Sequence, residues 1–122
     1  MTLESFKSLI LACCTADDDQ SRLENESQYN SLIEEDAVSV IRLHLQNLIE
    51  LPSETVQKIS AVLLRRLLLV LRGRSPELFS PEFVDEMKNV LFGVFSNENY
   101  DKTIRVFVGD SLHFISLAAA AN

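Results

Sequence analysis

The sequence predicts an all-α protein made of three successive antiparallel helical hairpins, and three observations carry that prediction. Apolar residues recur at three- and four-residue intervals along nearly the whole chain, the signature of helices with one buried face. Three glycines and three prolines in 122 residues are too few for a sheet-rich fold with many tight turns, and they suit helices with short connections. Capping residues, prolines and polar clusters then divide the chain into six segments of helical length. Hydrophobic residues make up 47% of the chain and charged residues 24%, enough apolar material for a core with an ordinary charged surface.

Each helix follows from its local signals. Leu3, Phe6, Leu9, Ile10 and Cys13 predict a first helix from Thr2 to Cys14. In "TADDDQ", Thr15 or one of the aspartates caps a second helix, and further acids suit the positive end of its dipole. That helix is expected from Asp18 to Ile33, with Leu23, Tyr29, Leu32 and Ile33 as its apolar markers. "EEDA" restarts the pattern, and Val38, Ile41, Leu45 and Leu48 line a third helix to Glu50. In "LPSET", Pro52 ends that helix and Ser53 caps a fourth over residues 54 to 71. Gly73 reads as its stop, opening the longest connector, "RGRSPELFSP". Pro81 opens a fifth helix with Phe83, Met87, Val90, Leu91 and Val94 as its buried stripe. After the polar turn "SNENYDK", a sixth helix from Tyr100 to Ala120 buries Ile104, Phe107, Val108, Leu112 and Ile115.

Taken in pairs, these helices give hairpins at 1–34, 35–73 and 79–122 within one domain. Their first helices start near residues 2, 36 and 81, spacings of about 34 and 45. Helical hairpins that recur at roughly 40–47 residues mark HEAT and armadillo arrays. The expected architecture is therefore an α-α superhelix of HEAT/armadillo type, with a compact six-helix bundle as the alternative.

The fourth helix contains "SAVLLRRLLLVLR", two arginines inside an apolar run. Only five apolar residues separate Arg66 from Arg72, far short of the roughly 20 that cross a bilayer. On a helical wheel Lys58, Arg65 and Arg72 fall within about 40° of one another, and with Ala61 they form one narrow polar stripe. The rest is apolar, as expected of a helix packed on more than one side with a thin strip left wet. Arg66 lies about 100° off that strip. It is expected to reach a carboxylate or helix-end carbonyls, because burying it unpaired would be very costly.

Net charge is −7, and residues 17 to 36 carry all of it, with eight acids against Arg22 alone. Residues 58 to 74 hold Lys58, Arg65, Arg66, Arg72 and Arg74 and no acid. An acidic chain with one short basic strip is a poor nucleic-acid binder, since phosphate contacts need a broad basic surface. The same strip suits a protein partner of mixed charge. Cys13 and Cys14 are adjacent, with no spacing that would hold zinc, and read as reduced thiols. Leu3 to Thr15 is too broken by Glu4 and Lys7 for the apolar core of a signal peptide. The acids at 17–19 and 34–36 lack the spacing of a calcium loop, and no glycine-rich phosphate loop is present. Ser111 and His113 point about 160° apart on a helix, so they form no nucleophile–base pair. His44 reads as a surface or packing histidine. No catalytic residue, metal or cofactor is expected.

"AVLLRRLL" (Ala61 to Leu68) resembles the second helix of the second HEAT repeat in importin-β-type (karyopherin-β) nuclear transport receptors, most of all the branch that carries ribosomal proteins and histones inward. "RLENESQYNSL" resembles the first-repeat pattern of that family at Arg22, Asn25, Glu26, Tyr29 and Leu32, with Asn25 where the family usually has alanine. "TIRVFVGDSLHFISLA" (Thr103 to Ala118) resembles the inner helix of the third repeat. The resemblance spans essentially the whole chain, in order, whereas members of the family are much longer. It implies the N-terminal HEAT repeats of a nuclear import receptor that works between cytoplasm and nucleus. Such repeats bind the GTP form of the GTPase Ran through their inner helices, and the full-length receptor binds protein cargo and nucleoporins. Carried onto this chain, the Ran contacts would be Lys58, Arg65 and Arg72 of the fourth helix and Lys102, Arg105, Asp110 and His113 of the sixth. A HEAT scaffold or adaptor outside transport is the alternative. Val106, Phe107, Phe114 and Leu117 cover more than one side of the last helix, and self-association through them is expected.

Overall fold

A computed structural model describes residues 1–15, 17–50 and 53–121. Among these residues the chain is helical, with no strand: α1 (Leu3–Thr15), α2 (Asp19–Glu50), α3 (Glu54–Arg74), α4 (Pro81–Phe95) and α5 (Lys102–Ala121), plus a 3-10 turn at Pro76–Leu78. Within α2 two helices run together across a kink, where the sequence predicted a second and a third helix. The expected second and third helices meet in α2, where Asp36 alone leaves helical geometry at φ −160°, ψ 86°. Its carboxylate accepts hydrogen bonds from the Ser39 N–H (3.2 Å) and hydroxyl (2.7 Å). Asp36 thus caps the second segment as a new helix would be capped, with no linker before it.

The other starts use the same chemistry. The Thr2 hydroxyl accepts from the Ser5 N–H at 3.1 Å, Asp18 from the Ser21 N–H at 2.7 Å, Ser53 from the Val56 N–H at 3.4 Å and Ser80 from the Phe83 N–H at 3.3 Å. Asp101 accepts from the Thr103 N–H at 2.9 Å, which is why α5 begins after the acid and not at Tyr100. Gly73 does not stop α3. It has no positive φ, and the helix runs through it to Arg74, with Ser75 N–H bonding back to the Leu71 carbonyl at 2.7 Å. The expected stop at Pro52 lies outside the described residues.

Two compact units divide the chain, residues 1–60 and 61–122. In the first, α1 packs on α2, and Phe6, Ile10, Ile41, Leu48 and Val56 are its buried apolar centre. Leu23, expected as an apolar marker, is exposed, because α2 buries only Tyr29 among its first fourteen residues. In the second unit α4 packs on α5 around Leu64, Leu68, Met87, Leu91, Ile104 and Ile115. Gly109 permits a close approach there: a Cβ at that position would stand 3.0 Å from the Phe95 ring. Ala61 is 1% exposed, so it belongs to the core and not to the expected polar stripe. No helix among the described residues is long and apolar enough to cross a membrane.

Candidate functional site

The second unit brings several of the expected contact residues together. The Arg65 guanidinium lies over the Phe107 ring, 4.7 Å from its centroid, and donates from Nη1 to Asp110 Oδ2 at 3.0 Å. The Arg72 guanidinium lies over the Phe114 ring at 5.2 Å. In both pairs the phenylalanine stands 42 positions after the arginine, 65 to 107 and 72 to 114. An antiparallel pair would match rising numbers with falling ones. A constant offset means that this part of α3 and α5 run side by side in one direction, as α4 requires when it forms the return between them. Seven residues on a helix rise about 10.5 Å, so two arginine–phenylalanine stacks repeat at that interval. Both arginines are half-buried. The Arg65 and Asp110 side chains keep 35% and 46% of their exposure, so water screens the pair and its contribution is at most about 1 kcal/mol.

The remaining predicted residues take other roles. Lys58 is engaged within its own helix, its Nζ 3.4 Å from Glu54. Arg105 Nε donates to the Phe95 carbonyl at 2.9 Å and so satisfies an acceptor at the end of α4. Lys102 is exposed in the first turn of α5, and His113 is exposed beside Phe114. Arg66, expected to seek a carboxylate, is exposed and stays hydrated, so no burial cost drives it to a partner. The helix-end role assigned to it belongs to Arg105. Arg22 pairs with Asp19 at 2.6 Å on the surface of α2, Glu26 is exposed, and Tyr29 is buried.

Tyr29 leads to a cluster that the sequence reading did not assemble. Its hydroxyl meets His44 Nε2 at 2.7 Å, His44 Nδ1 meets Ser60 Oγ at 3.2 Å, and Asn47 Nδ2 donates to Ser60 Oγ at 2.8 Å. The edge of the His44 ring meets Phe6, with centroids 4.9 Å apart. His44, Asn47 and Ser60 are each 0% exposed. Burial pushes His44 down to about 3 and raises the Tyr29 phenol, with a smaller contribution from Cys13. A neutral imidazole offers one donor and one acceptor nitrogen. We assign Tyr29 as donor to Nε2 and Nδ1–H as donor to Ser60. With no access for a substrate, the chain of bonds is a structural lock joining α2 to the start of α3. Its one sequence signal is His44 and Asn47 on the same face as Ile41, Leu45 and Leu48.

Elsewhere, Ser111 is buried and His113 exposed, so the two do not meet. Cys13 is buried, and burial raises its thiol, with Cys14 and Glu26 adding smaller contributions. Among the described residues no group of three or more His, Cys, Asp or Glu side chains could hold a metal ion. No protein-family model, no curated protein and no solved structure matched the chain.

Proposed function

We propose that the chain is the N-terminal HEAT-repeat region of an importin-β-type transport receptor, a non-enzymatic protein of cytoplasm and nucleus that binds Ran in its GTP form. The observation that carries this reading is the parallel run of α3 and α5 with its repeated arginine–phenylalanine stacks. Inner helices of successive hairpins in a HEAT array run in one direction and leave a narrow charged strip at the surface. Arg65, Arg72, Asp110 and His113 supply such a strip. The sequence resemblance at Arg22, Glu26 and Tyr29, at Ala61 to Leu68 and at Thr103 to Ala118 supplies the family. Lys58, Arg105 and the mutually paired Arg65 and Asp110 contribute less to docking than Arg72 and His113, since each is already engaged with this chain's own atoms. Cargo and nucleoporin contacts belong to the full-length receptor on this reading.

Binding is measured by calorimetry against Ran loaded with GTP and with GDP. A preference of at least about tenfold for the GTP form, about 1.4 kcal/mol, is the expected result. Equal or absent binding in both states removes the transport reading and leaves an interaction scaffold outside transport.

A further inference from the structure

We propose that Arg72 is an open docking position for an acidic residue of a protein partner, one that stands next to an apolar residue in the partner's chain. The template is the chain's own Arg65. There the guanidinium rests its face on Phe107 while its edge donates to Asp110, three residues further along α5. One heptad on, the face of Arg72 rests on Phe114. The position equivalent to Asp110 is now Leu117, which is 45% exposed. Arg72 enters no ion pair among the described residues. Stacking occupies the face of a guanidinium and leaves its edge donors free, so the second rung repeats the first with its carboxylate missing. A planar carboxylate matches those donors, and Asp110 shows that the geometry accepts one. The exposed Leu117 calls for an apolar neighbour to that carboxylate.

Charge favours the same occupant. Residues 58 to 74 contain five bases and no acid, and residues 61–122 hold seven acids and seven bases, so the unit that carries Arg72 is neutral overall. Residues 1–60 hold eleven acids and four bases and would repel an acidic segment. The inference does not rest on the GTPase reading. Ran binding without peptide binding would remove this proposal and leave that one standing.

The test is fluorescence anisotropy of the full chain with a short fluorescein-labelled peptide that alternates aspartate and leucine between glycine–serine ends. The expected result is saturable binding that weakens about tenfold or more when asparagine replaces aspartate, when serine replaces leucine, or in Arg72→Gln. The sharper variant is Leu117→Asp, which supplies the missing carboxylate from α5 itself. It should abolish peptide binding while the thermal midpoint holds or rises; Leu117 is 45% exposed, so the change asks little of the core. Absence of binding to the unaltered chain overturns the proposal. Equal binding by Leu117→Asp or by the asparagine peptide overturns it too, as does capture of single-stranded RNA in place of the peptide.

Discussion

At the residue scale the most consequential group is His44. It is held neutral in the core, with the Tyr29 hydroxyl on one nitrogen, the Ser60 hydroxyl on the other and Phe6 against its ring. Its folded value of about 3 lies below its ordinary 6.5. Between those values the unfolded chain binds a proton that the folded chain does not, so stability falls as pH drops through that window. At pH 5 the loss relative to pH 7.5 is about 2 kcal/mol from this group. Urea unfolding at pH 7.5, 6.5, 5.5 and 4.5 measures it. His44→Leu is expected to be less stable at neutral pH, because it takes the His44 partner from the buried Tyr29 hydroxyl and one of two bonds from Ser60, and to show a flatter profile between pH 7 and 5. An unchanged slope in that variant would place the acid sensitivity elsewhere. The sequence placed His44 on an amphipathic helix but could not choose between surface and packing. That choice depends on Tyr29 and Ser60, fifteen and sixteen residues away along the chain.

At the element scale most helix limits were legible: the expected ends at Cys14, Glu50 and Ala120 fall within a residue of those observed, and the end of α3 is the exception. A cap is local chemistry: Ser53 and Ser80 each accept from an N–H three residues on, and the sequence alone names such residues. Asp36 was legible as a restart, whereas the absence of any linker before it turns on one pair of dihedral angles. Gly73 was misread as a stop because glycine permits a left-handed turn without requiring one, and here α3 simply continues. The other two glycines separate propensity from packing. Gly93 is exposed in α4 with open space where a Cβ would go. Gly93→Ala should therefore stabilise by about 1 kcal/mol, the helix-propensity difference. Gly109 has the same propensity deficit, but its Cβ would press on Phe95 at 3.0 Å. Gly109→Ala should gain clearly less than Gly93→Ala, or lose stability, in thermal melts of the two variants side by side. Equal gains would mean that the Phe95 ring gives way freely.

At the scale of the whole molecule, charge and apolar surface are unevenly shared. The net charge of −7 resides in residues 1–60, while residues 61–122 are neutral and carry most of the large exposed apolar side chains. The sequence placed a sticky patch on the last helix at Val106, Phe107, Phe114 and Leu117. The structure divides that set. Phe107 and Phe114 are half-covered by the arginines above them, while Val106 and Leu117 stay exposed, and α4 adds Phe92 at 62% and Phe95 at 41%. Wheel geometry could show which side of α5 is apolar, but not that cations from α3 would shield part of it. Phe92 also lines a groove with Lys88, Asn89, Leu112 and Ser116, so apolar surface runs across both helices. The unit that carries this surface is neutral, so repulsion between two copies comes from the charge on residues 1–60 and weakens with salt, while the attraction is hydrophobic. Sedimentation velocity should show association that grows with concentration and persists in high salt, where screening is nearly complete beyond about 3–5 Å. Phe92→Ser should reduce it without lowering the thermal midpoint, since that side chain contributes little to the core. A chain that remains monomeric at high concentration and binds no hydrophobic dye would show that this surface is too weakly apolar to pair with itself.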